Sequence, residues 1–191
     1  MPGAVIAIVA HEFAKAVTAY RLGDGAVKAA GRLTLNPLKH IDPLGFIFMA
    51  LFSYGWANPV KITPFAYKEK RKAMVAIFAV PFLINIILGI TFALAFRIWS
   101  IEMGITSQQN ANIAAMLHSA ARLNISFALF NLIPVHPLTG IWLLSGISPH
   151  AALKVAQQEK FLQFILAILI IFGFVSQVFG PLTRNVLHAI I

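Results

Sequence analysis

Apolar residues run through this chain in long stretches separated by short polar, proline-bearing loops, and the lengths of those stretches predict the elements. Residues 2–20, PGAVIAIVAHEFAKAVTAY, would rise roughly 28 Å as a helix, enough to cross a bilayer core. The turn-prone run Arg21, Gly23, Asp24, Gly25 closes that segment. Residues 31–45, GRLTLNPLKHIDPLG, alternate at Leu33 and Leu35 and then carry Pro37 and Pro43, which predicts a short strand followed by extended turns, not a helix. The stretch 46–57, FIFMALFSYGWA, is too short to span and lies between Pro43 and Pro59, so it reads as a re-entrant segment. Residues 73–99 form a transmembrane helix with Pro81 near its start and Arg97 and Trp99 as interfacial anchors. The connection 100–109 carries only Glu102 and fits the non-cytoplasmic side. A further span covers 113–132. Pro134, Pro137 and Gly140 then interrupt the backbone before an apolar segment resumes at 141–147, a pattern tolerated at membrane depth only where protein or a cavity satisfies the freed groups. Residues 148–160 read as a polar connection, 161–180 as the last span, and 181–191 as a short interfacial helix with Arg184 and His188 on its wet face.

Composition sharpens this picture. Of 191 residues, 59% are hydrophobic and 11% charged, with a mean hydropathy of +0.82, which is the signature of a polytopic membrane protein. The expected fold is therefore all-α: about four transmembrane helices, a re-entrant hairpin, and a short strand and turn region after the first helix, in a single domain over 1–191. No basic stretch precedes the first apolar run, so that run is expected to be a retained helix and not a cleaved signal. The chain has no cysteine, hence no disulfide framework and no thiolate metal site. Its formal charge of +9 sits in loops beside apolar spans, which fits positive-inside topology and not nucleic-acid binding. If 46–57 dips and returns, the nine basic residues between 21 and 72 share one side, and Lys154 and Lys160 join them.

The candidate chemistry lies inside the first helix. His11, Glu12 and Lys15 interrupt an apolar span at a cost of about 2.5–3.5 kcal/mol each, which marks them as functional candidates. His11 and Lys15 are one turn apart on one face with Glu12 beside them. That is the geometry of H-E-x-x-H, in which two imidazoles hold zinc and the glutamate acts as base, except that an ammonium replaces the second imidazole. Lys15 can supply, at spacing i, i+3, the positive charge that a buried Glu12 carboxylate needs; the alternative is that it snorkels to the interface. His118, Arg122, Asn124 and Ser126 fall near one face of a later helix and read as interhelical contacts or snorkelling, not as a conducting path.

In order along the chain, HEFAKAVTAYRLGD, GRLTLNPLKHIDPLG, GWANPV, the proline-bearing start of the second span and FNLIPVHPLTG resemble the site-2 protease-like (M50) intramembrane zinc metalloproteases, in their compact bacterial branch. The resemblance covers about residues 9–148 and implies a multi-pass protein of the bacterial plasma (inner) membrane. In that family two histidines and an aspartate bind zinc, the glutamate activates water, and the asparagine of an N-x-x-P-x-x-P-L-D-G segment helps to hold an unfolded substrate strand. By that resemblance His11 matches the first zinc ligand and Glu12 the base, while Lys15 stands at the second histidine and Thr139 at the aspartate. Asn131, Pro134, Pro137 and Gly140 keep the substrate-loop pattern, and Ile141 and Trp142 replace small, often basic residues. In the second span the family's asparagine falls one place late, at Asn85, and Val80 and Ile84 are bulkier than the pattern. The chain also begins closer to the first motif than its relatives do.

What the resemblance implies is a catalytically inactive member that has lost its zinc and serves as a structural or binding subunit of a larger membrane complex, with partner membrane proteins and lipid around it. The alternative is an active protease whose metal site is rebuilt from His11, Glu12 and His136. Val80, Ile84, Ile141 and Trp142 are expected to fill the former cleft. That would leave outer faces, such as the one bearing Gly173, Ser176 and Gly180, for partners.

Overall fold

The computed structural model describes residues 2–103 and 107–191. Helix α1 (Pro2–Arg21) takes up the first predicted span. Its buried Ala4, Ala7, Ala16 and Ala19 keep one side of the helix slim, so that neighbouring helices approach closely without the drive that water would supply.

After α1 the chain departs from the expected strand. Leu33 and Leu35 pair with nothing; instead three side-chain caps start three short helices, α2 (Gly25–Ala29), α3 (Pro37–His40) and α4 (Pro43–Phe52). Asp24, Asn36 and Asp42 accept the N–H groups of Ala26, Leu38 and Gly45 respectively. Pro37 and Pro43, read from sequence as breakers, occupy the first helical position, where a missing N–H costs nothing. The nearest approach to a ladder is a single antiparallel bridge between Ile41 and Ala57.

That bridge settles the form of the short apolar stretch. Helix α4 runs out to Ser53, which takes the left-handed conformation at φ 66°, and the chain returns extended until Ala57 faces Ile41 and the Asn58 N–H reaches the His40 carbonyl at 2.8 Å. Both ends of the hairpin therefore lie together. Gly55 packs directly on the Gly45 carbonyl and Met49, so the two arms touch backbone to backbone.

The two long spans appear as α5 (Lys70–Glu102), which runs uninterrupted through Pro81, and α6 (Gln108–Phe130), whose first turn is capped by Ser107. Of the predicted connection 100–109, residues 104–106 lie outside the described residues. Helices α1, α5 and α6 pack mutually and are each long and apolar enough to cross a membrane. Met49, Ala7, Ile8, Leu123 and Phe127 fill the space where the hairpin meets α1 and α6. Helix α7 (Gly140–Ile147) packs on α5.

The C-terminal third differs from the reading in two places. Residues 148–160 are not an open connection: Ser148 caps α8 (Pro149–Gln157), again with proline at the first helical position. The last span is not straight. Helices α9 (Glu159–Ile171) and α10 (Phe174–His188) meet at 68°, and Gly173 at φ 79° supplies the left-handed link. An apolar run that continues through a bend carries no signal of it. Helix α10 packs on α6 and continues through Pro181, so 181–191 is no separate helix, although Arg184 and His188 do lie exposed on it. The molecule is thus an all-α polytopic membrane protein; among the described residues three helices are long and apolar enough to cross a membrane, and the bent pair α9–α10 makes a fourth if it is counted as one span.

Candidate functional site

Helix α1 delivers His11, Glu12 and Lys15 to the middle of the bundle, where all three are buried. The Lys15 Nζ donates to Glu12 Oε1 at 2.5 Å across one turn. Lys15 is wholly buried, which rules out the snorkelling alternative. The second carboxylate oxygen, Glu12 Oε2, accepts the Val60 backbone N–H at 2.7 Å from the returning arm of the hairpin, with the Arg32 guanidinium 4.0 Å away.

His11 is held from both sides. Its Nδ1 lies 2.8 Å from Asn85 Oδ1 on α5 and its Nε2 2.7 Å from Thr139 Oγ1 at the start of α7. The Asn85 amide is oriented by its Nδ2, which donates to the Ala7 carbonyl and to Asn124 Oδ1 on α6. Asn85 Oδ1 can only accept, so His11 carries its proton on Nδ1. Nε2 then accepts from the Thr139 hydroxyl, whose oxygen receives Lys15 Nζ at 3.5 Å. Each side-chain nitrogen and oxygen of His11, Glu12, Lys15, Asn85 and Thr139 in this buried chain has a hydrogen-bond partner, which is the condition for a polar network in a low-dielectric interior.

Asn131, the remnant of the substrate-loop motif, is also buried, and it closes its own loop. Its Nδ2 donates to the Phe127 carbonyl, and its Oδ1 accepts the Thr139 N–H at 3.0 Å. Residues 131–139, with Pro134 and Pro137, are thereby folded so that Thr139 meets His11. Loop residue His136 takes another direction: half-buried, it stands edge-on to Trp142 with ring centroids 5.6 Å apart. It does not join His11 and Glu12, and no group of three or more His, Asp or Glu side chains placed to hold a metal occurs among the described residues.

These side chains do not fit the zinc centre of the family pattern. Such a site needs about three protein ligands and one open position. Here both His11 nitrogens are engaged, Glu12 is bound to an ammonium and a backbone N–H, and the fourth-side groups are a hydroxyl and a lysine. The arrangement holds charge and orients dipoles.

The cleft-filling expectation holds for only some of its residues. Ile141 is buried, and Trp142 packs against the cluster containing Ala73, Met74 and Ile77. Val80 and Ile84 line the outside of the bundle instead, because α5 turns Asn85 inward. On α6, Asn124 bonds to Asn85 and Ser126 to Thr183 of α10, as interhelical contacts should. His118 stands edge-on to Phe96, and Arg122 is exposed. Gly173 makes the α9–α10 bend, so it shares no flat packing face with Gly180.

Sequence reading missed the supports on the wet side. Asp24 is buried and accepts from the Thr63 N–H at 2.7 Å and from the Tyr67 hydroxyl at 3.1 Å, tying the segment before α5 to the end of α1. Burial, with the Asp24 charge added, pushes the Tyr67 phenol up. Arg32 donates to the carbonyls of Lys39 and Asn58 at the hairpin base. His40 donates from Nε2 to the Thr34 carbonyl, and burial pushes its imidazole below the ordinary 6.5. Each acts through partners far along the chain or through backbone groups, which a pattern search does not register.

Two bacterial proteins align with most of this chain. One, from Bacillus subtilis (strain 168), bears the name "Putative zinc metalloprotease YwhC" and is 31% identical over 180 residues, 93% of this chain and 82% of that protein. The other, from Mycolicibacterium smegmatis (strain ATCC 700084 / mc(2)155), bears the corresponding name with Rip2 and is 26% identical over 88% of this chain and 65% of its own length. No family model matches the chain, and no solved structure matches it significantly.

Proposed function

Because this chain belongs to the site-2 protease-like family of zinc metalloproteases, we propose that it is a non-catalytic member, acting in the bacterial plasma membrane as a structural or binding subunit of a larger membrane complex. One observation carries this reading: Lys15 Nζ, 2.5 Å from Glu12 and 3.5 Å from Thr139, sits among the side chains that a metal would have to gather. A protonated lysine has no lone pair to donate, and its charge repels a dication. Glu12, neutralised by it, is a poor base toward water. The family names of the relatives favour the rival reading, an active protease with a rebuilt metal site, and the two differ in what they require of His136.

Elemental analysis of the purified full-length protein, with cleavage assays on membrane-embedded peptides, tests the proposal. We expect far less than one zinc per chain and no cleavage. About one zinc per chain, lost on His136→Ala, would establish the rival reading. The subunit role predicts stoichiometric companions after mild-detergent purification from the native membrane, and a chain that runs alone as a monomer would count against it.

A further inference from the structure

Helices α1 and α5 leave an apolar groove of about 600 Å³ open on the outside of the bundle. On α1 it follows Ala10, Ala14, Val17 and Arg21. Its other wall is the α5 stripe of Val80, Ile84 and Leu88, the same Val80 and Ile84 that turn away from the buried polar network. From Ala10 to Arg21 the helix rises about 17 Å, against about 15 Å for half of a bilayer's hydrocarbon core. The groove is one leaflet deep.

Its end is cationic. Arg21 lines it, is exposed, and has no ion-pair partner among the described residues. Lys72 continues the α5 stripe, four residues before Ala76 and eight before Val80, and so stands at the same end. Lys72 is paired only with Glu69, at 2.5 Å, and the two side chains are 82% and 67% exposed. Water competes with such a pair, which leaves the ammonium available to a stronger anion. The nearby carboxylate of Asp24 is buried and already occupied by Thr63 and Tyr67.

Charge decides between occupants: an apolar groove one leaflet long that ends at an exposed cation matches an alkyl chain ending in an anionic headgroup. We infer that this groove binds an anionic phospholipid of the leaflet at the basic end of the bundle, with one acyl chain along α1 and α5 and the phosphodiester between Arg21 and Lys72. The inference does not depend on the state of His11, Glu12 and Lys15.

The test is native mass spectrometry of the intact protein, exchanged into detergent containing equal phosphatidylglycerol and phosphatidylcholine with identical acyl chains. Each cation near a membrane surface favours an anionic lipid by about fivefold, so the wild type should retain phosphatidylglycerol at least about tenfold over phosphatidylcholine. Arg21→Gln with Lys72→Gln should bring that ratio near one. Ala14→Leu, which fills the groove and keeps both cations, should lower retention of both lipids. Equal retention by the wild type, a preference that survives the double substitution, or unchanged retention in Ala14→Leu would each overturn the proposal. The chain has no cysteine, so Val80→Cys adds a single reporter. Phosphatidylglycerol should slow its alkylation, whereas a disulfide formed between two copies in membranes would assign the groove to self-association.

Discussion

Lys15 and Glu12 form a pair that neither could leave alone. Removing the ammonium strands a carboxylate in the interior, and breaking a buried pair in this way costs about 3–5 kcal/mol, whereas replacing both partners with neutral groups is far milder. We therefore expect Lys15→Met to lower the thermal stability of the detergent-solubilised protein sharply. Adding Glu12→Gln should recover most of the loss, since an amide oxygen still accepts the Val60 N–H. A double-mutant cycle on thermal unfolding checks it, and additive losses would mean that the pair is not coupled. At this scale the sequence was informative where chemistry is local. Spacing i, i+3 fixed the Glu12–Lys15 contact, and Asn85 stood out one position from its family place. Val60 could not be found, because what it contributes is a backbone N–H, which every residue but proline possesses, from 48 residues away. His136 shows the opposite case: its side chain suits a metal, which is why it enters the alternative reading, but the fold of its loop sets it edge-on to Trp142.

Among the elements, the α4 hairpin depends most on a single residue. A methyl group at Gly55 would fall on the Gly45 carbonyl and 2.8 Å from the Met49 nitrogen, both backbone and unable to yield. Overpacking of this kind costs about 1–3 kcal/mol. Gly55→Ala should thus lower the melting temperature and speed hydrogen exchange over 41–57. Gly180→Ala is the control: nothing lies within 4 Å of its would-be Cβ, and it should be neutral or slightly stabilising. If both changes behave alike, the packing account of the hairpin fails. Element types were legible wherever an apolar run was long, as for α1, α5 and α6. Boundaries were lost wherever one residue type serves two purposes. Proline after Asn36 and Asp42 reads from sequence as a break and is a helix start, decided by the capping side chain before it.

Across the whole molecule, the basic residues crowd at one end and are few at the other. Helix α5 is 33 residues long, about 50 Å against a hydrocarbon core of about 30 Å, so Lys70, Arg71 and Lys72 project beyond it. At its far end Arg97 donates to the Ile190 carbonyl at 3.1 Å, placing the last residues opposite that basic end. With the hairpin's two ends joined, a cysteine at Lys68 should be labelled from the same side as one at Lys28, the cytoplasmic side, and a cysteine at His188 from the other. Labelling of Lys68→Cys and Lys28→Cys from opposite sides would refute this topology. Charge distribution in the loops is what predicts sidedness from the sequence, and the labelling experiment tests it. The meeting of His11 with Thr139 was readable only through the family resemblance, which sets both at metal-ligand positions; the hydrogen bonds by which Asn85 and Asn124 join it were not, since long-range packing leaves no periodic trace. That meeting has a consequence for synthesis. His11 and Thr139 are 128 residues apart, so when the ribosome has delivered α1 to the membrane, Glu12 and Lys15 already have each other but both partners of His11, Asn85 and Thr139, do not yet exist. Helix α1 thus waits for the start of α7 before its polar contacts are complete, and a chain truncated before Thr139 would leave His11 and Lys15 short of a partner, a mark by which a membrane protease engaged in quality control could single out the unfinished product.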